Sequence, residues 1–179
     1  MQIDKHKKEL YIKYLLEWNK IHKLTNYKTK KEIEENIFDS IYPIKFLPEV
    51  KSVLDVGSGA GFPAIFLAIA LPNVKFTLVE PLGKKYSFLN FIKCELELNN
   101  VEVKKARVEN LEKRKFDLIT SRAVADTKIL LKLVKNFIGD NTTLLFYKGE
   151  LSQNEVNFKM QKIKRDRRVY LIIKGKDVI

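Results

Sequence analysis

The chain has 179 residues, of which 45% are hydrophobic and 31% are charged, with a formal net charge of +12. Length and composition indicate one folded domain with a hydrophobic core and exclude an intrinsically disordered chain. The longest apolar run, residues 62–71, is about half of the roughly 20 residues that a membrane-spanning helix needs, so no membrane association is predicted.

The N-terminus lacks the apolar segment of a secretory signal, and the one cysteine, Cys94, excludes an internal disulfide. Both features predict a cytoplasmic protein. The excess of 34 basic over 22 acidic side chains would attract polyphosphate, because neutralised phosphates release their counterions. A lysine-rich genome can produce the same excess, so the charge alone only favours a nucleic-acid partner.

Two helices are predicted at the beginning of the chain. Apolar and aromatic side chains recur at helical spacing over residues 10–22 and again over residues 32–40. Two prolines then interrupt the pattern. We therefore predict an N-terminal helical cap over residues 1–48 and a main domain over residues 49–179.

From residue 51 onward, predicted strands alternate with predicted helices. The strands cover residues 52–56, 74–80, 101–106, 116–120, 142–147 and 168–173. The helices cover residues 62–71, 83–98, 126–137 and 153–161. This alternation is typical of parallel βαβ units, so the predicted fold class is α/β, an open sheet with helices on both faces.

The first predicted strand ends in a glycine-rich turn, Asp55-Val-Gly57-Ser-Gly59-Ala-Gly61-Phe62-Pro. Open α/β sheets bind ligands at the carboxyl ends of their strands, and glycines let the backbone approach a ligand closely. A dinucleotide-binding turn requires glycine where this chain has Phe62, which would crowd a pyrophosphate at the start of the helix. The turn therefore argues against a dehydrogenase.

Two acidic residues accompany the turn. Asp55 precedes the first glycine by two residues, and a carboxylate pointing into the turn would repel phosphate but suit the amino group and sulfonium of S-adenosylmethionine. Glu80, at the end of the second predicted strand, is placed to accept hydrogen bonds from both hydroxyls of a ribose. Turn and acid together predict a methyltransferase that uses S-adenosylmethionine and releases S-adenosylhomocysteine.

Further motifs extend over residues 17–174, nearly the whole chain. They are Trp18-Asn19-Lys20 with Leu24-Thr25, Phe38-Asp39-Ser40, the turn at 55–63, Gly83-Lys84-Lys85 with Phe88-Leu89, Arg107-Val108-Glu109, Ser121-Arg122-Ala123-Val124-Ala125 and Lys148-Gly149. In these motifs the chain resembles the RsmG (GidB) family, bacterial enzymes that methylate N7 of a guanine in 16S (small-subunit) ribosomal RNA. The resemblance implies the seven-stranded, Rossmann-like sheet of class I methyltransferases.

The resemblance also implies site residues. Cofactor contacts fall on Gly57, Phe62, Glu80, Val108, Glu109 and Arg122, and the turn motif adds Asp55, Gly59 and Gly61. Arg122 and Lys148 are the candidates for a catalytic role. RNA contacts are predicted for Arg107, Lys148, Arg165, Arg167 and Arg168, the last three in a basic run that is the best candidate for an RNA-facing side.

The chain departs from the family pattern at two positions in the predicted cap. It has Lys23 where the family usually has Asn, and Asn36 where the family usually has His. These departures bear on the details of the cap and not on the cofactor site. The partner implied is small-subunit ribosomal RNA or the ribosomal subunit, bound by a monomer.

Methylation at N7 of guanine needs no general base, because this nitrogen carries an in-plane lone pair and no proton. The sequence agrees, since Arg122 stands where exocyclic-amine methyltransferases carry Asn/Asp-Pro-Pro-aromatic, and no Pro-Cys pair is present for attack on a pyrimidine. Cys94 is predicted to be a packed thiol. His6 and His22 lack acidic or cysteine partners at ligand spacing, which argues against a metal site.

Two alternatives stay open. One is a methyltransferase that acts on a small molecule or a protein, for which affinity for RNA would be weak and insensitive to salt. The other is a non-enzymatic RNA-binding module with the same fold. Asp55, the three glycines of the turn and Glu80 argue against the second alternative, because a module without catalysis does not need them.

Overall fold

A computed structural model describes residues 3–122, 126–149 and 159–178 of the chain. Its helices are α1 (Lys5–His22), α2 (Lys30–Ile41), α3 (Ala64–Ala70), α4 (Gly83–Glu95) and α5 (Thr127–Val134). Its strands are β1 (Ser52–Val56), β2 (Lys75–Val79), β3 (Val101–Lys104), β4 (Leu118–Arg122), β5 (Thr143–Lys148), β6 (Gln161–Arg165) and β7 (Arg168–Lys174). Short 3-10 turns follow α2, β3, α5 and β7.

The strands form one seven-stranded sheet in the order β3-β2-β1-β4-β5-β7-β6. Strands β1 to β5 are parallel to one another, whereas β7 is antiparallel to both β5 and β6. The chain runs outward from β1 to β3 and then returns to the other side of β1 with β4. This reversal of strand order opens a crevice at the carboxyl ends of β1 and β4, where open α/β sheets bind ligands.

The predicted α/β fold with seven strands is confirmed, with two corrections near the C-terminus. The predicted parallel βαβ units account for β1 to β5, whereas the last two strands pair antiparallel. Strand β6 was not predicted, because its sequence Gln-Lys-Ile-Lys-Arg contains one apolar residue and reads as a solvated basic run. A helix was predicted over residues 153–161. Residues 153–158 of it lie outside the described residues, and its last residue, Gln161, begins β6.

The two helices of the predicted cap form for local reasons and then pack on the sheet. Thr29 caps α2 in a reciprocal capping box with Glu32, which satisfies two backbone N–H groups at the helix start. Helix α1 buries Tyr11 and Leu15, and α2 buries Ile33 and Ile37. All four side chains belong to the same hydrophobic cluster as the residues of α3, α4 and one face of the sheet. The division of the chain at residue 48 stays a prediction.

The opposite face of the sheet is covered by α5. Its Leu130 and Val134 pack in a second cluster with alternate residues of the central strands, among them Leu54, Ile119 and Leu144. Successive strand residues point to opposite faces of the sheet. The residues next to Leu54, Ile119 and Leu144 in sequence therefore point to the face covered by the cap. Helices therefore lie on both faces, as predicted.

One packing prediction is wrong. Cys94 was expected to be a packed thiol, but it lies exposed on the solvent side of α4. The buried residues of that helix are Phe88, Leu89 and Ile92, which occupy the neighbouring positions at helical spacing.

Candidate functional site

The glycine-rich turn between β1 and α3 has the backbone geometry that its sequence predicts. Gly57, Gly59 and Gly61 all have positive φ angles, of 67°, 59° and 99°. A Cβ on Gly61 would stand 2.5 Å from Cγ1 of Ile65, so glycine is required there by both conformation and space. At Gly59 the nearest atom to such a Cβ is 3.9 Å away, and only the φ angle favours glycine.

Glu80 holds the turn from the neighbouring strand. The residue follows β2 and is only 3% exposed, and its Oε2 accepts a hydrogen bond of 2.8 Å from the backbone N–H of Gly59. Its Oε1 accepts a second bond of 2.9 Å from the N–H of Leu82. Each carboxylate oxygen can accept more than one hydrogen bond, so both retain capacity for hydroxyl donors. Two fixed acceptor oxygens beside a glycine turn suit the two hydroxyls of a ribose.

A cleft of about 560 Å³ opens above the turn, within the size range of small-molecule sites. It is lined by residues 57–60 of the turn and by Glu80 with the two residues after it. The loop between α1 and α2, residues 24–27, also lines it, together with Phe62 and Arg122. The described residues fit an adenosyl cofactor, because they combine acceptor oxygens, accessible backbone and an apolar ring.

Phe62 packs sideways into the core and does not project across the turn. Its ring stacks on Phe66 at 5.2 Å between centroids and meets the rings of Tyr11 and Tyr27 edge-on at 5.5 and 5.6 Å. Tyr11 in turn donates its hydroxyl to the carbonyl of Ala60 at 2.5 Å. The aromatic cluster therefore braces the glycine turn from below and supplies part of the cleft wall.

Arg122, the last residue of β4, lies on the cleft wall above Phe62. Its guanidinium carbon is 5.6 Å from the centre of the Phe62 ring. Its Nη2 donates to the hydroxyl of Tyr27 at 3.2 Å and to Oδ1 of Asn36 on α2. Its Nη1 is buried and has no acceptor among the described residues. Burial lowers the pKa of the Arg122 guanidinium, because a charged group is less stable away from water.

Asp55 lies beneath the turn and does not point into it. It is 1% exposed, and its Oδ1 accepts a 2.6 Å hydrogen bond from the hydroxyl of Thr120 on β4. Its Oδ2 is buried without a hydrogen-bond partner in the described structure. Burial raises the pKa of Asp55 to about 7, against the opposing effect of hydroxyl donors at Thr120 and Ser58. Asp55 does not line the cleft, so its effect on a ligand there is indirect.

Three other predicted cofactor residues also lie outside the cleft wall. Gly61 lies buried behind the turn, against Ile65. Val108 is buried and Glu109 is exposed in the 3-10 turn that follows β3, on the side of the sheet where β2 also ends. Whether a bound adenine would reach this turn stays a prediction.

A second cleft, of about 810 Å³, contains the three predicted RNA-binding arginines of the C-terminal hairpin. Asp39 on α2 accepts from two of them, with Oδ1 3.1 Å from Nη1 of Arg165 and Oδ2 3.1 Å from Nε of Arg168. The Arg165 guanidinium also lies 4.1 Å from the centre of the Phe38 ring, which is 44% exposed. Arg167 is exposed in the turn between the two strands.

Lys148 and Arg107 are not part of either cleft. Lys148 ends β5 and is buried, and it pairs across the ladder with Val169. Strand alternation places it on the face covered by α5, whereas its neighbour Tyr147 faces the cap and donates to the carbonyl of Ser40. Arg107 is exposed directly before the 3-10 turn that follows β3.

Residue-by-residue prediction missed four side chains that shape the two clefts: Tyr27, Asn36, Asp39 and Thr120. Asn36 and Asp39 lie one helical turn apart on α2, so one face of this helix holds arginines of both clefts. Of these four residues, only Asp39 belongs to a motif that was named from the sequence, Phe38-Asp39-Ser40. The roles of Tyr27 and Thr120 left no signal in the sequence, because they depend on contacts between distant segments.

Within the described ranges, no group of three or more His, Cys, Asp or Glu side chains could hold a metal ion. None of the helices described there is long and apolar enough to cross a membrane.

Comparison with known proteins matches residues 4–177 to the family described as rRNA small subunit methyltransferase G, GidB. Ribosomal RNA small subunit methyltransferase G of Wolinella succinogenes is 49% identical over 148 residues, which cover 83% of this chain and 77% of that protein. The protein of the same name from Aliarcobacter butzleri is 44% identical over 173 residues, 93% of this chain and 88% of that protein.

Among solved structures, a SAM-dependent methyltransferase from Aquifex aeolicus has a similar fold, with a TM-score of 0.66 and 19% sequence identity. The match covers 84% of this chain and 97% of that protein.

Proposed function

Because the chain belongs to the rRNA small subunit methyltransferase G family, we propose that it transfers a methyl group from S-adenosylmethionine to N7 of one guanine in 16S (small-subunit) ribosomal RNA. The single observation that carries this proposal beyond the family is the pairing of Glu80 with the glycine turn in one cleft. The fixed carboxylate stands at the carboxyl end of β2, next to the turn after β1, where the backbone can be approached closely by a ligand.

The cofactor would be held mainly by backbone and by one acid. Glu80 would accept hydrogen bonds from the ribose hydroxyls, and the floor of the turn at residues 57–60 would contact the amino acid portion. Asp55, whose carboxyl lies beneath that floor, would favour a positively charged amino group there through the field of its ionised form. Phe62 supplies an apolar surface in the same cleft.

When bound, S-adenosylmethionine supplies a sulfonium methyl group, which passes to N7 as the carbon–sulfur bond breaks, leaving S-adenosylhomocysteine. The residues of this chain do not need to remove a proton, because N7 carries none. Their task is to orient the guanine and to exclude water. The titratable side chains lining the cleft, Tyr27, Glu80, Lys85 and Arg122, fit this task, since Arg122 and Lys85 can donate to acceptor atoms of a base or a phosphate.

The RNA would be held largely through phosphates, which a chain with a net charge of +12 attracts. Arg165, Arg167 and Arg168 would contribute from the second cleft, which lies beside the carboxyl edge of the sheet. Arg107 would contribute from the exposed turn after β3. For Lys148 we propose an indirect part in catalysis or RNA binding, because its buried position supports no direct contact.

We also propose that the enzyme works in the cytoplasm as a monomer and without a metal ion. Ribosomal RNA in bacteria is cytoplasmic, and a single exposed thiol suits a reducing compartment. Methyl transfer to N7 requires no Lewis acid, because the nucleophile is neutral and carries a lone pair.

The experiment that tests this function incubates the purified chain with cofactor labelled in its methyl group. The substrates are small ribosomal subunits, and naked RNA extracted from them, from a bacterium that lacks this methyltransferase. The expected result is label recovered as 7-methylguanosine at one position. Label on no RNA, from protein that binds the cofactor, would contradict the proposal and favour a small-molecule or protein substrate.

A further inference from the structure

The side chain of Asn36 is fixed in one orientation between α2 and the sheet. Its Nδ2 donates to the backbone carbonyl of Glu32 at 2.7 Å, one turn earlier in the helix. This bond assigns the amide nitrogen to the helix, so the oxygen Oδ1 must point toward the sheet. There Oδ1 accepts from the hydroxyl of Tyr27 at 3.0 Å and from Nη2 of Arg122.

The three side chains form a closed triangle on the wall of the cofactor cleft, because Nη2 of Arg122 also donates to the Tyr27 hydroxyl. Tyr27 and Arg122 both line the cleft, whereas Asn36 lies behind them. Tyr27 contacts Phe62 edge-on, and Arg122 lies over the same ring. The triangle therefore fixes the guanidinium of Arg122 relative to the cleft wall from two sides.

Both acceptors in this triangle are neutral, and this is the unusual feature. A partly buried arginine is ordinarily paired with a carboxylate, as Asp39 pairs with Arg168. Within residues 3–122, 126–149 and 159–178, no carboxylate oxygen lies within ion-pair distance of Arg122, and its Nη1 has no acceptor there. Among these residues, the guanidinium of Arg122 is thus held in position without an ion pair.

We propose that Asn36 is a positioning residue, which orients Arg122 through a neutral acceptor and leaves its charge for an acceptor group of the substrate. This inference rests on the proposed function and says how one residue of the proposed site, Arg122, is oriented. The substrate group is an oxygen of the guanine or its phosphate, or the cofactor carboxylate. In each case an uncompensated guanidinium attracts the group more strongly than one already paired with a carboxylate.

A purely structural role for Asn36, as a link between α2 and the sheet, predicts something different. In that case any strong acceptor at this position would serve, and Asn36→Asp would be fully active because it pairs with Arg122 even better. The proposal predicts that Asn36→Asp neutralises Arg122 and lowers methyl transfer roughly 10- to 100-fold in protein that remains folded.

The experiment compares methyl transfer to small-subunit RNA by the full chain carrying Asn36→Asp, Arg122→Gln, or both. The expected result is that Asn36→Asp has no further effect once Arg122 is replaced, because its effect acts through that residue. Asn36→His, which keeps a neutral acceptor at pH 8, is expected to retain activity within about threefold. It also keeps the inference testable if Asn36→Asp does not fold, since loss of activity in folded Asn36→His would overturn it.

Multiplicative losses in the double variant, or full activity of Asn36→Asp, would also overturn the inference. These outcomes differ from a failure of the proposed function. In that event the unchanged protein itself would methylate no ribosomal RNA, while the variants could still be compared by their affinity for the cofactor in calorimetry.

Discussion

The two clefts at the carboxyl edge of the sheet are built in different ways. The cofactor cleft depends on a continuous segment, residues 55–63, whose glycines determine the backbone, and on one acid at the end of the next strand. The second cleft depends on side chains from distant segments, since Asp39 and Arg165 are 126 residues apart in sequence. The local backbone of the first cleft can be predicted from sequence, whereas the long-range side-chain pairs of the second cleft cannot.

Substitutions in the two clefts should therefore affect the binding of different ligands. Changes at the glycine turn and at Glu80 should alter cofactor binding without altering affinity for RNA, and changes in the second cleft should do the reverse. Helix α2 is the exception, because Asn36 serves the first cleft and Asp39 the second.

The largest effect is expected from Glu80→Ala. The substitution removes both acceptors proposed for the ribose and leaves the N–H groups of Gly59 and Leu82 without their partner. Hydrogen bonds to a charged group contribute about 1.5–3 kcal/mol each, so the cofactor Kd should rise at least 100-fold in calorimetry. Glu112→Ala, at an exposed position outside this cleft, is the matched control and should leave the Kd unchanged. Equal cofactor affinity in folded Glu80→Ala would place the site elsewhere.

The next largest effect is expected from Gly61→Ala, measured as the free energy of unfolding in urea. The new Cβ would stand 2.5 Å from Ile65 at a φ of 99°, and overpacking combined with an unfavourable backbone conformation should cost roughly 3 kcal/mol. Gly59→Ala would have a φ of 59°, within the left-handed region, and open space around its Cβ, and should cost about 1 kcal/mol. If the two variants are equally stable, the crowding behind the turn is not what requires glycine at position 61.

A third prediction uses the pH dependence of stability. The pKa of Asp55 is raised by burial to about 7 from an ordinary value of 3.8, so the unfolded chain releases this proton more readily than the folded one. Its contribution to stability is therefore complete below pH 4 and is lost as the pH rises toward 7. Asp55→Asn cannot ionise, so between pH 5 and 7 it should gain about 2 kcal/mol relative to the unchanged protein. A constant difference in unfolding free energy across this range would show that Asp55 titrates normally.

The smallest effect is expected from Arg168→Gln in the second cleft. Loss of one phosphate contact should weaken RNA binding roughly three- to tenfold and lower the slope of log K against log salt by about one. The cofactor Kd should stay the same. Lys176→Gln removes the same charge from an exposed position at the opposite edge of the sheet and controls for net charge. Equal losses of RNA affinity in both variants would mean that only net charge matters.

Much of the fold could be predicted because hydrophobic patterning and turn chemistry act locally. The parallel strands β1 to β5 were each predicted to within a few residues, since four of them, β1, β2, β4 and β5, contain apolar residues that are buried on both faces. Strand β6 was missed because its lysines lie on an exposed sheet edge, where charged residues protect against unwanted pairing. Its strand character comes from pairing with β7, which the segment does not reveal alone.

The candidate site divides in the same way. Glu80 was predicted from its place after a strand, and it does line the cleft. The expectation that Asp55 points into the turn was wrong, because strand alternation directs it toward Thr120 within the sheet. The partners of the arginines, Asn36 and Asp39, could not be inferred from spacing, since they follow from how α2 packs on the sheet.

The most direct test of the central claim is nucleoside mass spectrometry of small-subunit RNA from bacteria that lack their own enzyme of this family. The cells would carry either the unchanged chain or the Glu80→Ala variant. The account predicts one 7-methylguanosine per small-subunit RNA with the unchanged chain and none with the variant. Absence of this nucleoside despite abundant folded protein, or equal amounts with both chains, would contradict it.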